Sequence, residues 1–523
     1  MTAAEARSDP ASSYVLAVDL GTGGPKIGLV SLTGEIAWHD HVPVETRRLP
    51  GGGAVQDAAE WWHIVHDRAK QALASGACDP AHVVAVSVTG QWASTVPVAE
   101  DGRPVGDCIL WMDTRGGRYS REVIAGPVAG YAPAPALSWI RRSGGAPSTH
   151  GADPIGHMLH LQWGEPAVAK RARWFLEPVD YLSMRFSGVA AASHASMVAA
   201  WLTDNRRLDR YEYDPVLVRR SGVDASKLPP LRPTGSVIGR VLPEVAASLG
   251  LGGDVAVVSG TPDLHSAACG AGAVGDFETH MAVSTSAWIG APVPFKKTDP
   301  VRQVVSVPGL SDDRYLIANN HETGGACLEW LRDRVLFEGA SPAPPFAALT
   351  EAAASSPPGA GGVIFTPWLN GERSPVDDRR ARAGFHNLSI STGRADLARA
   401  VLEGVAFNNR WLHEAVESFA KRRLDPIRMI GGGAESDLWC QIHADVMDRT
   451  IERVHRPLHA NLRGAALFAA LALKAVAPGE VRGLVSFDTF GPDPSTRRKY
   501  DRLFAEFPGL YKTQRPMFAR LNR

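Results

Sequence analysis

A carboxylate, a hydroxyl and an ammonium group surround a glycine-rich turn near the start of the chain. Asp19, Thr22 and Lys26 supply these groups, and Gly23 and Gly24 lie between them. Glycine lets backbone N–H groups approach an anion, the hydroxyl and ammonium groups suit a phosphate, and the carboxylate could hold a hydrated cation. A tight hairpin without a ligand is the alternative, because neither Gly-x-Gly-x-x-Gly nor a Gly-Lys-Ser/Thr ending occurs here. The turn alone leaves both interpretations open.

The elements around this turn are predicted from apolar runs. Runs at 14–18 and 27–31 predict two strands that make the turn the tip of a hairpin. A further strand is predicted at 83–88, and a helix at 57–74, where apolar residues recur at helical spacing. Strands that alternate with a helix are typical of α/β layering.

The opening pattern recurs in the second half of the chain. An apolar strand runs into a glycine turn at 255–260, and 280–290 has the pattern of a strand, a hydroxyl-rich turn and a second strand. Residues 429–434 predict a strand with a triple-glycine turn before a helix at 435–448, which suits a nucleotide packed against backbone. An amphipathic helix is predicted from 493 to 522. We infer two duplicated α/β domains around a nucleotide cleft.

Composition narrows the class of protein. A chain of 523 residues is too long for one ordinary core, and its net charge of zero removes any electrostatic case for nucleic acid or a membrane surface as partner. The five cysteines are odd in number and form no Cys-x-x-Cys pair, which predicts reduced thiols in a cytoplasmic protein. Residues 1–10 lack the pattern of a secretion signal, and we expect a disordered tail at 1–13.

Taken together, the motifs resemble the FGGY family of carbohydrate kinases, in its xylulokinase-like branch, over about 14–515. The matching segments, in chain order, are Asp19-Leu20-Gly21-Thr22, Gly90-Gln91, Leu110-Trp111-Met112-Asp113-Thr114-Arg115, Asp263, Ser284-Thr285-Ser286, Gly371-Glu372-Arg373-Ser374-Pro375, the stretch 398–404 and Gly431-Gly432-Gly433-Ala434. The resemblance implies an α/β fold of two actin-like (ribonuclease H-like) domains. It places a sugar-binding domain with the phosphate hairpin at 14–258 and an ATP-binding domain at 259–523.

The activity that the resemblance implies is transfer of the γ-phosphate of ATP to a hydroxyl of a ketose or polyol, with a pentulose such as xylulose as the expected acceptor. Asp19 would lie near Mg²⁺. The residues implied to bind the nucleotide are Thr22, Gly23, Gly24, Lys26, Ser284, Thr285, Ser286, Gly325, Gly432, Gly433, Ala434 and Ser436. A catalytically decayed, actin-like nucleotide-binding regulatory protein is the alternative function, and a homodimer is the default expectation for assembly.

The general base implied by the resemblance is Asp263. It ends the segment Gly260-Thr261-Pro262-Asp263, and proline suits the first turn of a helix, so Asp263 is expected at a helix start beside the acceptor hydroxyl. An ordinary aspartate in the first turn of a helix is the structural alternative.

Substrate recognition is assigned by the resemblance to Gln91, Trp92, Asp113 and Arg115, together with the base. Asp113 would accept hydrogen bonds from sugar hydroxyls and Arg115 would orient it; a surface ion pair is the alternative. Trp92-Ala93 stand where xylulokinases have Met-His and glycerol kinases Arg-Glu. The Trp92 indole could stack on a sugar or belong to the core.

Other positions depart from the family pattern. Gly23-Gly24 replace the usual threonine and serine residues, Ser284 replaces a glycine, and His157 replaces a lysine. We therefore expect backbone N–H groups to take a larger part in phosphate binding. His265 and the pair His321-Glu322 have no family counterpart, and a satisfied polar contact is expected for each in preference to a substrate contact.

Overall fold

The computed structural model describes residues 10–128, 130–340 and 344–522. Residues 1–9 of the predicted tail lie outside this part of the chain. The predicted hairpin, the helices near 57–74 and 435–448 and the long C-terminal helix are all confirmed. No helix within the described ranges combines the length and the apolar character that a membrane crossing requires.

The first half of the chain is a mixed α/β unit. Its strands are β1 (Tyr14–Gly21), β2 (Gly24–Ser31), β3 (Ile36–His41), β4 (Arg47–Leu49), β5 (Gly53–Gln56), β6 (Val83–Gly90), β7 (Val96–Val98), β8 (Cys108–Ile109), β9 (Ala125–Val128), β10 (Trp174–Leu176), β11 (Ala192–Ser193), β12 (Leu231–Arg232), β13 (Val237–Arg240), β14 (Ala256–Val258) and β15 (Thr261–Pro262). Its helices are α1 (Ala58–Ala74), α2 (Gly117–Ile124), α3 (Pro133–Arg142), α4 (Pro154–Leu159), α5 (Pro166–Arg171), α6 (Pro178–Ser187), α7 (Pro215–Ser221), α8 (Pro243–Leu249) and α9 (Asp263–Gly270).

The second half of the chain is also a mixed α/β unit. Its strands are β16 (Thr279–Val283), β17 (Ala287–Gly290), β18 (Pro292–Val293), β19 (Thr298–Asp299), β20 (Val304–Pro308), β21 (Tyr315–Ala318), β22 (Ile364–Thr366), β23 (Gly384–His386), β24 (Ile427–Ile430), β25 (Ile451–Val454) and β26 (Phe487–Phe490). Its helices are α10 (Ala326–Leu331), α11 (Phe346–Ala354), α12 (Arg394–Ala420), α13 (Asp437–Met447), α14 (Ala460–Ala472) and α15 (Pro494–Leu521).

The large sheet of the first half has the order β13-β14-β6-β1-β2-β3, and β15 also pairs with β6. Strand β1 is antiparallel to β2 and parallel to β6. Both faces of β1 are buried: Leu16 and Val18 pack in the core around α1, whereas Val15 and Ala17 pack in the core around α14. The continuous apolar run at 14–18 is therefore a strand covered on both sides.

The sheet of the second half has the order β17-β16-β24-β25-β26. Strand β16 is antiparallel to β17 and parallel to β24, so the hairpin of the first half recurs. Helices α12, α13 and α15 cover one face and contribute to the largest apolar core. Strand β15, which follows the predicted domain boundary at 258, still pairs with the first sheet; the boundary itself stays a prediction.

Helices α9 and α14 cross where the two halves meet. A side-chain carbon added at Gly464 would overlap the backbone oxygen of Ser266, and one added at Gly270 would overlap that of Ala460. The two helix backbones are therefore in direct contact. Helix α14 also packs on β1 and β6, so it joins the second half to the first sheet.

We predict that Gly464→Ala destabilises the protein. The added methyl group forces the helices apart, and overpacking of this kind costs about 1–3 kcal/mol of unfolding free energy or more. Thermal denaturation should show a clearly lower Tm. Gly479→Ala is the matched control, because a side-chain carbon there meets no atom within 4 Å; equal Tm values for the two variants would contradict the prediction.

Candidate active site

Three neighbouring strands of the first sheet end at one place. Asp19 on β1 lies beside Thr89 on β6, and Thr89 lies beside Thr261 on β15. The Thr89 hydroxyl donates to the backbone oxygen of Thr261 at 2.9 Å and also contacts the hydroxyl of Ser266 at 2.8 Å, which ties helix α9 to the sheet. The strand ends thereby bring Asp19 and the start of α9 together.

Asp263 is the first residue of α9, and Pro262 precedes it in extended conformation. Burial raises the pKa of Asp263, the negative charge of Asp19 raises it further, and the N–H of Leu264 and the charge of Lys26 oppose the rise; the result is a pKa of about 7. Lys26 also lies 3.4 Å from an oxygen of Asp19, which is only 3% exposed. The site thus pairs one carboxylate held by a cation with a second that is poised to exchange a proton near neutral pH.

The two glycines of the predicted phosphate hairpin differ in role. Gly23 is exposed, and a side chain there would meet no atom within 4 Å. Gly24 is buried with φ +127°, and a side-chain carbon would overlap the backbone oxygen of Val42. Gly24 is therefore required by packing against the chain that follows β3. Its predicted contact with a nucleotide stays a prediction.

Thr22 takes part in a polar network at the tip of the hairpin. The indole N–H of Trp111 donates to the Thr22 hydroxyl at 3.1 Å, and that hydroxyl donates to Gln91 Oε1 at 3.4 Å. Gln91 Nε2 donates to Gln56 Oε1 at 3.3 Å, and Gln56 Nε2 donates to the backbone oxygen of Thr22 at 2.8 Å. The predicted phosphate residue Thr22 is thereby linked directly to the predicted sugar residue Gln91.

In the second half, the turn at 284–286 is held by the loop before α10. Gly325 donates its N–H to the backbone oxygen of Ser284 at 2.6 Å, and Gly324 donates to that of Thr285 at 2.8 Å. Thr285 is exposed, whereas Ser284 and Ser286 are half-buried. Gly325 therefore acts as a support for this turn, and Thr285 is the residue that the turn presents to solvent.

The glycine turn after β24 packs against the end of β16 and the turn at 284–286. A side-chain carbon at Gly431 would lie 2.6 Å from the Ser284 hydroxyl, and one at Gly433 would lie 2.6 Å from Val283. Gly432 is exposed, whereas Gly433 and Ala434 are buried. Gly432 is thus the exposed member of this turn, and the contacts predicted for Gly432, Gly433 and Ala434 with a nucleotide stay predictions.

Ser436 directly precedes helix α13, and its hydroxyl accepts the N–H of Trp439 at 3.2 Å. The hydroxyl therefore caps the helix, because serine at this position satisfies an N–H that otherwise has no partner. The predicted contact of Ser436 with a nucleotide stays a prediction.

Asp113 and Arg115 form a buried pair. Asp113 has no exposed surface, and its carboxylate accepts N–H groups of Ala54 at 2.8 Å and of Arg115 at 2.9 Å, besides a guanidinium contact at 2.8 Å. Burial raises the pKa of Asp113, but the Arg115 and backbone donors outweigh it and lower the pKa overall. Arg115 orients Asp113 as expected, yet no oxygen of Asp113 is open to solvent, and its contact with a sugar stays a prediction.

Trp92 is half-buried and packs against a small apolar cluster that includes Leu264, the residue after Asp263. Part of the indole therefore belongs to the core, and stacking of the remainder on a sugar stays a prediction. The next residue, Ala93, has a φ of +59°, which is unfavourable for a residue with a side chain.

The two histidines without a family counterpart each use one ring nitrogen in a polar contact. His265 Nε2 bonds the backbone oxygen of Pro308 at 2.8 Å, whereas its Nδ1 is buried without a partner among the described residues. His321 Nδ1 lies 3.1 Å from Glu372, which also accepts the N–H groups of Glu322 and Arg373, whereas His321 Nε2 is likewise buried with no partner in the described ranges. The polar contact expected for each histidine is therefore present, but it satisfies only one nitrogen of each ring.

Two residues of the site are outside the predicted set. Trp111 is 41% exposed and lies over the hairpin, and Gln56 is 1% exposed and bridges Thr22 and Gln91. Trp111 stands two residues before Asp113 in a matched motif, which is the signal that could have identified it. Gln56 offers only a weaker signal, a single amide in an otherwise apolar strand.

The protein groups at this site could hold a magnesium ion only if a bound ligand supplied further oxygen atoms to it. In the three described ranges, no group of three or more His, Cys, Asp or Glu side chains could hold a metal ion. Mg²⁺ in phosphoryl-transfer sites is held by one or two carboxylates together with phosphate oxygens and water. The single carboxylate of Asp19 fits that arrangement.

Comparison with known proteins shows matches along most of the chain. Models of the N-terminal and C-terminal domains of the FGGY family of carbohydrate kinases match residues 14–270 and 284–473. The chain is 28% identical over 515 residues to a xylulose kinase of Staphylococcus epidermidis, covering 97% of this chain and 98% of that protein. It is 23% identical to a gluconokinase of Bacillus subtilis, covering 84% of each chain.

A solved structure confirms the fold. The ligand-bound xylulose kinase of Lactobacillus acidophilus superposes with a TM-score of 0.85 at 21% identity, covering 98% of this chain and 100% of that one. The predicted arrangement of two actin-like domains is therefore confirmed.

The raised pKa of Asp263 predicts a pH-dependent effect of Asp263→Asn on stability. A folded-state pKa of about 7, above the usual value near 4, means that the folded protein loses stability as pH rises between these values. Asp263→Asn does not lose this stability, because asparagine has no carboxyl group to ionise. Its Tm relative to the parent protein should therefore be higher at pH 8 than at pH 5. Asp313→Asn, at a side chain that is 72% exposed, controls for removal of one carboxylate; a Tm difference for Asp263→Asn that does not change with pH would contradict the prediction.

Proposed function

Because the chain belongs to the FGGY family of carbohydrate kinases, we propose that it transfers the γ-phosphate of ATP to a hydroxyl of a pentulose such as xylulose. The proximity of Asp263 to Asp19 and Lys26, with an Asp263 pKa of about 7, is the observation that carries the mechanism. Similarity to a xylulose kinase over 97% of the chain supports the choice of sugar.

Asp263 serves as the general base in this proposal. The acceptor hydroxyl oxygen forms a bond to the γ-phosphorus, its proton passes to a carboxylate oxygen of Asp263, and the bond between γ-phosphorus and the bridging oxygen breaks so that ADP leaves with the electron pair. A base is most effective when its pKa lies near the operating pH, which the environment of Asp263 provides. The burial and the Asp19 charge that raise its pKa thus serve proton transfer.

The phosphate end is formed by exposed groups from both halves of the chain. Gly23 offers backbone N–H, Lys26 offers positive charge, and Thr285 offers a hydroxyl from the opposite turn. Gly432 offers backbone to the nucleoside. Mg²⁺, when bound with the nucleotide, neutralises phosphate charge, and Asp19 is the residue that would hold it.

In this proposal the sugar end is formed by two partly exposed tryptophan rings, Trp111 and Trp92. Trp111 is 41% exposed, and its N–H is already used by Thr22, so it presents an apolar aromatic face. Trp92 presents the exposed part of its indole beside Leu264. We propose that the C–H surface of the sugar packs against these rings while Asp263 contacts the reacting hydroxyl.

The decayed regulatory protein receives no support. Asp19, Lys26 and Asp263 form one connected group, as phosphoryl transfer requires. For assembly we propose a homodimer, the commonest state of soluble oligomers, which sedimentation equilibrium can test.

We predict ADP release that depends on sugar, measured over a panel of pentuloses, hexuloses, polyols and gluconate. The largest kcat/KM is expected with a pentulose. Asp263→Ala should lower kcat by at least about a hundredfold, because general-base catalysis contributes about 10²–10⁴ in rate. The exposed Asp313→Asn should retain full activity. Absence of turnover with every sugar, despite ATP binding, would refute the proposal, and preference for gluconate would replace the pentulose.

A further inference from the structure

Glu177 is a buried carboxylic residue that the proposed reaction does not use. It is 1% exposed and occupies the position before Pro178 at the start of helix α6. Short polar side chains at this position usually cap the helix, but the Glu177 side chain makes no such bond. Its Oε2 instead accepts the N–H of Ser94 at 3.1 Å, and its buried Oε1 has no hydrogen-bond partner among the described residues.

This N–H belongs to the turn that carries Trp92. Ala93, the residue before Ser94, has a φ of +59°, a conformation that is unfavourable for a residue with a side chain and persists only where its surroundings hold it. The turn also contacts the second tryptophan, because the Ser94 hydroxyl accepts the backbone N–H of Trp111 at 3.0 Å. A single side chain thereby supports the backbone next to both tryptophans.

The same end of helix α6 lies against the segment that leads to the base. A side-chain carbon at Gly260 would lie 2.8 Å from the backbone oxygen of Val179 and 3.0 Å from the carboxylate of Asp180. Gly260 stands three residues before Asp263. The start of α6 is therefore in contact with the tryptophan turn on one side and with the approach to Asp263 on the other.

We propose that Glu177 is a positioning residue for the sugar: it holds the turn at 92–94 in the strained conformation that sets Trp92 and Trp111 for binding. This inference rests on the proposed function, in which the sugar packs against these two rings. An apolar side chain would fill the same space without the cost of burying a carboxyl group. Filling the core therefore does not explain a glutamate here.

The protonation state of Glu177 determines which substitutions can test the proposal. Burial raises the pKa of Glu177 well above its usual range, the Ser94 N–H lowers it, the nearby Asp180 raises it and the Ala93 N–H lowers it, with a net rise. A neutral carboxylic acid and an amide have nearly the same shape and share a carbonyl acceptor. Glu177→Gln should therefore preserve the bond to Ser94, whereas Glu177→Met keeps the length of the side chain and removes the acceptor.

The test compares the KM values for sugar and for ATP in Glu177→Met and Glu177→Gln. Loss of the acceptor for the buried Ser94 N–H should raise the sugar KM of Glu177→Met about tenfold or more, with the ATP KM unchanged, while Glu177→Gln stays close to the parent protein. Ser183→Ala is the matched control: Ser183 is buried in the same helix and its hydroxyl bonds Val179, away from the turn. Should Glu177→Met not fold, Glu177→Asp, which is too short to reach the turn, should raise the sugar KM in the same way.

A second measurement does not depend on turnover. Hydrogen exchange of a peptide that spans 90–96 should become faster in Glu177→Met and remain slow in Glu177→Gln and Ser183→Ala. Unchanged exchange in Glu177→Met, an unchanged sugar KM, or equal increases in the KM values for sugar and ATP would each overturn the inference. A parent protein that phosphorylates no sugar would refute the proposed function alone, because the exchange experiment would still decide whether Glu177 holds the turn.

Discussion

The direct contact between the backbones of helices α9 and α14 is the constraint on which the site depends. Gly270 and Gly464 leave no side chain between the two helices. The distance between the helices is therefore set by direct contact between their backbone atoms. Helix α9 begins at Asp263, and helix α14 begins directly after a turn whose Pro457 oxygen accepts the N–H of Gly431. One crossing therefore sets the distance between the base and the glycine turn of the other half.

The chemistry of the site comes from groups that the fold holds in unfavourable surroundings. Asp263 keeps a raised pKa because it is buried and because the sheet brings Asp19 near it, and Ala93 keeps a positive φ beside a half-buried tryptophan. A buried carboxyl group with a raised pKa and a residue with a strained backbone both lower the stability of the fold. They persist only where the surrounding structure holds them in place. Here that structure is the set of strand ends at β1, β6 and β15 and the buried start of α6.

Glycine serves two purposes in the cleft, and the neighbouring backbone decides which. Gly23 and Gly432 are exposed, and in the proposed function they offer backbone to ATP, whereas Gly24 and Gly433 are buried because another backbone or side chain lies against them. The missing hydroxyl at position 24 thus has a packing cause. The phosphate hairpin nevertheless retains an exposed backbone at Gly23 and the charge of Lys26, as expected for binding that relies on N–H groups.

The sequence by itself determined the elements and their order, because local apolar periodicity specifies strands and helices: both hairpins, the helix at 57–74 and the turn after β24 follow from it. The family motifs likewise identified Asp263 and Asp19 and the two domains. Only the tertiary structure decided which polar atoms remain free. Thr22 meets Gln91 across 69 residues and Trp111 across 89, and Glu177 meets Ser94 across 83. Asp113 is sequestered by Arg115 and Ala54, and Ser436 is used as a cap. Partners so far apart in the chain leave no local pattern, because a hydrogen bond depends on where the folded backbone brings each group.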